Sequence, residues 1–360
     1  MRACRIGVPL WVVAAIVATG CSSSPGVRRS VAHNTSTTSN APGAAGLRLL
    51  AERRGLLLGT AVNDDALQRE VDYRDTLATQ FSMVEPENVM KWDAIHPAPD
   101  RFDFTAGDRL VAFAREHDMA VRGHTLVWKN ANPEWLERGR FTRAQAITLL
   151  RDHIYEVVGH YRGEIAQWDV VNEALDDAGH YADNPWLRAI GPDYVPMAFR
   201  FAHDADPHAE LYYNDYDIGY PGRKAAAILA LVTALKHGGT PIDGIGMQFH
   251  LIPPAVDLRR IAEQMRTFAD LGLSYAITEF DVPLKLPATG SEQQMQADLA
   301  GGVLRTCLAA PNCRTFNLWG FTDRHSWVPQ HLAGYGAATP MDMHLRPKPA
   351  WQALRSELTA

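Results

Sequence analysis

Eight short apolar runs, each followed by a stretch of helical periodicity, constrain this chain more than any other feature. The runs lie at 56–62, 81–85, 120–127, 165–172, 210–214, 244–250, 275–280 and 315–320. Helical spacing of apolar residues fills the gaps at 66–80, 106–117, 142–160, 194–205, 222–237, 258–271 and 292–309, and follows the last run at 349–358. Turn signals such as Asp206-Pro207 and Gly238-Gly239 separate them. Strands that alternate with helices pair in parallel, and eight such units predict an α/β fold, a (β/α)8 TIM barrel, as a single catalytic domain over 47–360. A doubly wound sheet is the alternative. It is disfavoured because no G-x-G-x-x-G follows the first strand.

The residues before 47 read differently. Arg2 and Arg5 precede an uncharged run at 6–18, too short to span a bilayer. The run ends in Ala18-Thr19-Gly20-Cys21. This predicts a signal peptide over 1–20, of the lipoprotein type with Cys21 lipidated, or else simple secretion. Of residues 22–46, 16 of 25 are Ser, Thr, Gly, Pro or Asn. So little apolar surface cannot offset the entropy of ordering, and 21–46 reads as a flexible tether. The expected location is outside the cytoplasm, with membrane contact only through the N-terminal lipid.

Charge is uneven too. Four Arg and no acid in residues 1–46 leave 31 basic and 41 acidic residues beyond them, a balance of −10. A phosphate backbone needs a basic face, so nucleic acid is excluded as the main partner, whereas neutral substrates are not. Two cysteines fall in the folded part, Cys307 and Cys313, with five residues between them. Under oxidising conditions a disulfide is favoured over two free thiols. Nothing in the chain demands more than a monomer.

In a barrel, chemistry sits at the C-terminal ends of the strands. Those ends carry Glu87, Asn88 and Lys91, then His124 and Trp128, Asn172 and Glu173, Asn214, Gln248 and His250, Glu279 and Asp281, and finally Trp319 and Trp327. A single Asn or Asp there could cap the next helix, but seven polar ends together are not explained as caps. A Glu ending an apolar strand is costly to bury unless it is paired or performs chemistry. Glu173 and Glu279 are therefore the candidate acid/base and nucleophile for a glycosidic bond, the bland alternative being an ion pair with Lys91 or an Arg. Trp92, Trp128, Trp319 and Trp327 are placed to stack on sugar rings, while Trp135, Trp186 and Trp351 read as core. Other chemistries lack their signatures. There is no H-E-x-x-H, the nearest serine elbow (272–276) lacks its last Gly, and His124 and His250 have no third metal ligand.

Taken together, these segments resemble glycoside hydrolase family 10, the barrel endo-β-1,4-xylanases. The resemblance runs through P-E-N-x-M-K-W at 86–92, G-H-T-L-V-W at 123–128, W-D-V-V-N-E at 168–173, N-D-Y at 214–216, G-x-G-x-Q-x-H at 244–250, I-T-E-x-D at 277–281 and W-G-F-T-D at 319–323. It implies a retaining mechanism with Glu279 as nucleophile and Glu173 as acid/base, the charge of free Glu279 favouring protonated Glu173. It further implies that Asn172 bonds the sugar 2-hydroxyl and that His250, supported by Asp281, contacts the nucleophile. Glu87, Asn88, Lys91, His124 and Trp128 would meet the non-reducing-side sugars, and Trp319 and Trp327 would form aromatic walls there. Gln248 joins the substrate-binding set. Cys307 and Cys313 match a disulfide of many members. No metal or organic cofactor is implied, and xylan or a xylo-oligosaccharide is the expected substrate.

One segment departs from the family pattern. After Trp128 a His and then a sugar-bonding Gln are usual, but Lys129-Asn130-Ala131-Asn132 stands here. The lost contact is either absent or moved to Lys129, Asn130 or Asn132. That leaves open a decorated xylo-oligosaccharide, a cellodextrin or another β-glycoside, and more remotely a surface lipoprotein that binds carbohydrate without cleaving it.

Overall fold

The structure, a computed structural model, describes residues 45–217, 222–251 and 256–360. The expected signal, the lipidation site at Cys21 and nearly all of the expected tether lie outside the described residues. Eight parallel strands close into a barrel in chain order: β1 (Leu57–Val62), β2 (Met83–Pro86), β3 (Ala120–Trp128), β4 (Gln167–Asn172), β5 (Glu210–Asp215), β6 (Gly244–Met247), β7 (Ser274–Phe280) and β8 (Cys313–Leu318). β8 returns to pair with β1, Leu57 opposite Thr315. A barrel has no free strand edge, so each parallel ladder is satisfied on both sides. The expected (β/α)8 fold is what the chain adopts.

Each strand buries both faces, one against the outer helices and one inside the barrel. The helices begin where the sequence supplies caps. Thr142 and Gln145 form a capping box at Arg143–His160, and Thr289 and Glu292 form another at Gly290–Ala309. The Cys307–Cys313 disulfide forms as expected and joins the end of the second of these helices to β8.

The barrel interior is polar and crowded. Arg122 is fully buried. It pairs with Asp169, donates to Gln167 Oε1 at 2.9 Å and lies over the Tyr212 ring at 4.6 Å. Close packing of this kind requires glycine where strands face large groups. A Cβ at Gly123 would run into the Trp168 ring, and one at Gly246 into the Asn214 amide.

The structure alters several expectations. The helix expected over 66–80 is broken into Asp64–Arg69 and Val71–Gln80. Glu70 between them is extended and reaches Arg324 and His325 instead of continuing the helix. β6 ends at Met247, three residues before the expected end. Short helices at Leu47–Arg53, Trp92–Ile95, Glu134–Glu137, Pro185–Ile190 and Val328–His331, and a two-stranded ribbon of Leu284–Lys285 with Tyr335–Gly336, were not expected. Each is too short to show a period. Among the described residues, no helix is long and apolar enough to cross a membrane.

Candidate active site

The C-terminal ends of the strands surround an open cleft of about 730 Å³. Twelve of the residues expected from the sequence to face substrate line it: Glu87, Asn88, Lys91, His124, Trp128, Asn172, Glu173, Gln248, His250, Glu279, Trp319 and Trp327. Trp92 does not. It is 2 % exposed, stacks on His153 and His96, and donates from Nε1 to the Leu126 carbonyl. It is a core residue beneath the cleft, because the chain turns into the short helix Trp92–Ile95 and carries the indole inward. Trp186 and Trp351 are buried as expected, and Trp135 is half-buried against Trp92.

Glu279 lies one residue before the end of β7 and is held from two neighbouring strands. Asn214 of β5 donates from Nδ2 to Oε1 at 2.7 Å, and His250 Nε2 lies 3.0 Å from Oε2. His250 Nδ1 lies 3.0 Å from Asp281, whose other oxygen accepts from Trp327 Nε1 at 2.6 Å. Burial alone would lower the His250 pKa, but the Asp281 and Glu279 carboxylates outweigh it and push it up to about 10. His250 is therefore an imidazolium bridging two carboxylates. Gln248 and His250 both reach the cleft, yet not through a regular strand. Phe249 between them takes a left-handed φ of 63°.

Glu173 follows β4 and also has a left-handed backbone, with φ of 52°. Such a conformation costs a non-glycine residue about 1–3 kcal/mol and needs support from its surroundings. The support is a backbone bond from Glu173 N to the Asn214 carbonyl at 2.9 Å. The strain turns the side chain into the cleft instead of along the ladder. Its Oε1 accepts from Gln248 Nε2 at 2.9 Å, and its Oε2 lies 3.0 Å from Lys129 Nζ. Burial works to raise this carboxyl's pKa. Lys129 and Gln248 overcome it and hold the group below the ordinary glutamate value. The proton on Glu173 expected from the charge of Glu279 is thus opposed by Lys129, which was expected only as a possible replacement sugar contact. The ion pair expected as the bland alternative exists, with Lys129 in place of Lys91 or an Arg.

The two glutamates are joined by amides. Asn172 lies within 3.2 Å of both the Asn214 and Gln248 amide groups, and these bond Glu279 and Glu173 respectively. Asn214 was visible in the N-D-Y segment but carried no assigned role. Its pairing with Asn172 across the β4–β5 register reveals one. On the far wall, Lys91 donates to Asn88 at 2.9 Å and sits 5.0 Å and 6.0 Å from the Trp128 and Trp319 rings. Burial lowers its pKa, and Glu279 and Glu87 pull it back up. Burial raises that of Glu87.

Below the cleft floor, Glu85, His124 and Asp169 come within 4.8 Å of one another, all buried. Arg122 supplies the cation there, and His124 Nδ1 lies 2.9 Å from Asp169. Burial and then Asp169 push the Glu85 pKa well above the usual carboxylate value. The departing segment resolves residue by residue. Lys129 turns to Glu173, Asn132 donates to the Trp128 and Lys129 carbonyls and to Glu137, and only Asn130 and Ala131 remain on the cleft wall.

The family model for glycosyl hydrolase family 10 matches residues 46–357. The chain belongs to glycosyl hydrolase family 10. It is 38 % identical over 312 residues to endo-1,4-beta-xylanase B of Thermotoga neapolitana, covering 86 % of this chain and 90 % of the relative. It is also 38 % identical to endo-1,4-beta-xylanase 1 of Humicola insolens, covering 88 % and 75 %. Among solved structures, xylanase 10B of Thermotoga petrophila in complex with xylobiose superposes with a TM-score of 0.86 at 38 % identity, over 89 % of this chain and 99 % of the other. Native xylanase 10B of Thermotoga maritima gives 0.85 at 39 % identity, over 88 % and 98 %. This family 10 barrel is therefore a glycoside hydrolase.

Proposed function

We propose that this family 10 protein is a retaining endo-1,4-β-xylanase that cuts internal β-1,4 bonds of xylan. The observation that carries the reading is Glu173 and Glu279 at the mouth of one cleft, linked through Asn214, Asn172 and Gln248. Glu279 attacks the anomeric carbon as the glycosidic C–O bond breaks, and Glu173 gives its proton to the leaving oxygen. Glu173 then takes a proton from water, which displaces Glu279 and restores both groups. The His250 imidazolium and the Asn214 amide hold the Glu279 carboxylate, and Asp281 holds His250. Trp128, Trp319 and Trp327 offer aromatic faces to the C–H faces of sugar rings, while Glu87, Asn88, Lys91, His124, Asn172 and Gln248 offer donors and acceptors to hydroxyls. The xylobiose bound by the Thermotoga petrophila relative supports this substrate class.

Product analysis on arabinoxylan, glucuronoxylan and cellulose in parallel tests the activity. Internal cutting of both xylans into short oligosaccharides is expected. Release of no reducing sugar from xylan, together with hydrolysis of an aryl cellobioside, would replace xylan with a glucan as substrate. The export reading rests on residues 1–46: the chain is delivered outside the cytoplasm, tethered by lipid on Cys21, and acts as a monomer. Cys21→Ser is expected to move the protein from the detergent phase to the aqueous phase on partition. Wild-type protein already in the aqueous phase would sink the anchor.

A further inference from the structure

Lys129 stands where the family pattern commonly has a His, and it touches the group with two opposite tasks. In the first half-reaction Glu173 must be an acid, and in the second it must be a base. Its surroundings are not symmetric between the two. From the end of β3 come Trp128 and Lys129, the latter 3.0 Å from Oε2. From β5 comes Asp215, whose negative charge opposes that of Glu173. From the helix Arg223–His237 comes Lys224, 2.8 Å from Asp215. From β6 come Gln248, a neutral donor, and just beyond it His250, which is engaged with Glu279 and Asp281. From β7 comes Glu279 itself. Lys224 and Asp215 therefore offset each other, as do His250 and its two carboxylates in part. Among the described residues this leaves Lys129 as the cation paired directly with Glu173.

The pair is also built to persist. Lys129 Nζ lies 5.3 Å from the centre of the Tyr216 ring, and the Tyr216 hydroxyl donates to Asp177 at 2.6 Å, which pins the ring. The Glu173 side chain is 11 % exposed and that of Lys129 21 %, so solvent screens the attraction far less than at a surface. Resting on the assignment of Glu173 as acid/base, we propose that Lys129 is a positioning residue for Glu173. It pairs with the carboxylate so as to favour the base half of its work over the acid half. The cation stabilises the form that accepts a proton from water. It penalises the form that donates one to the leaving oxygen.

Two consequences separate this from a structural role. The basic limb of kcat/KM on a xylo-oligosaccharide, which reports the acid in the free enzyme, lies at lower pH than it would without Lys129. Breakdown of the glycosyl-enzyme, which needs Glu173 ionised, holds its rate to lower pH with Lys129 than without it. Lys129→Met is therefore expected to move the basic limb up by about one pH unit or more, since an opposite charge at such a distance shifts a carboxyl by about 1–3 units. Above that limb the variant cuts xylo-oligosaccharide about 10-fold faster than wild type, the rate equivalent of one unit. On an aryl β-xylobioside with a good leaving group, which needs no proton, the acidic limb of kcat is expected to move up in the variant, kcat and KM falling together below it as the intermediate accumulates. Lys129→Arg keeps the wild-type limb. The same profile measured for Glu173→Ala separates the two layers. If Glu173→Ala retains the basic limb and full activity, the acid/base assignment fails. If Glu173→Ala abolishes the limb while Lys129→Met leaves it in place, or lowers the rate equally at every pH, the role of Lys129 alone is overturned.

Discussion

Glu279→Ala is expected to lower kcat/KM on xylan by a factor on the order of 10⁴ to 10⁶, with the fold unchanged by circular dichroism. No other described group takes over the attack on the anomeric carbon. Glu279 is the carboxylate held at 2.7 Å by Asn214 and at 3.0 Å by His250, and its removal leaves those donors facing a void. That void gives a second readout. A small anion such as azide is expected to enter it and attack the same face of the sugar. Glu173 donates its proton to the leaving oxygen, and the product is a glycosyl azide of inverted configuration. Full hydrolytic activity in Glu279→Ala, or an azide product of retained configuration, would remove Glu279 from the nucleophile's role.

The second large effect lies below the chemistry. Arg122→Met is expected to cost about 3–5 kcal/mol of stability, measured by urea denaturation of the full chain, because it strips the cation from a fully buried carboxylate. Arg122, Asp169 and Glu85 are all inaccessible to water. Methionine matches the volume of the arginine stem but leaves the Asp169 carboxylate with His124 as its remaining hydrogen-bond partner. The double variant Arg122→Met, Asp169→Asn removes the stranded charge and is expected to recover a large part of the loss. A single variant within about 1 kcal/mol of wild type would show that the pair is not what holds the barrel floor together.

The barrel and its catalytic rim were legible because both follow local rules. Apolar runs of strand length, broken by capped helices, specify eight units whatever their partners, and the polar residues that end each run stand out against them. Thus Glu173, Glu279, His250 and Asp281 could be named from their positions at strand ends, and all four are found in the cleft or directly behind it. Trp92 could not be judged in the same way. It stands five residues beyond Glu87 in a segment of rim residues, and only the turn into the helix Trp92–Ile95 sends it into the core.

What the sequence by itself determined is most of the set of groups presented at the mouth of the barrel, since the polar residues that end each apolar run are fixed by sequence order. What only the tertiary structure decided is who pairs with whom. Asn214 meets Glu279 across 65 positions of chain, and Arg122 meets Asp169 across 47. Lys129, which looked like a lost sugar contact, is bound to Glu173 on the next strand. Those partnerships depend on register between neighbouring strands and on closure of the barrel. No period within a single strand records either of them. The electrostatics of the two glutamates arises from these cross-strand pairings, and so the state in which Glu173 rests is a property of the fold.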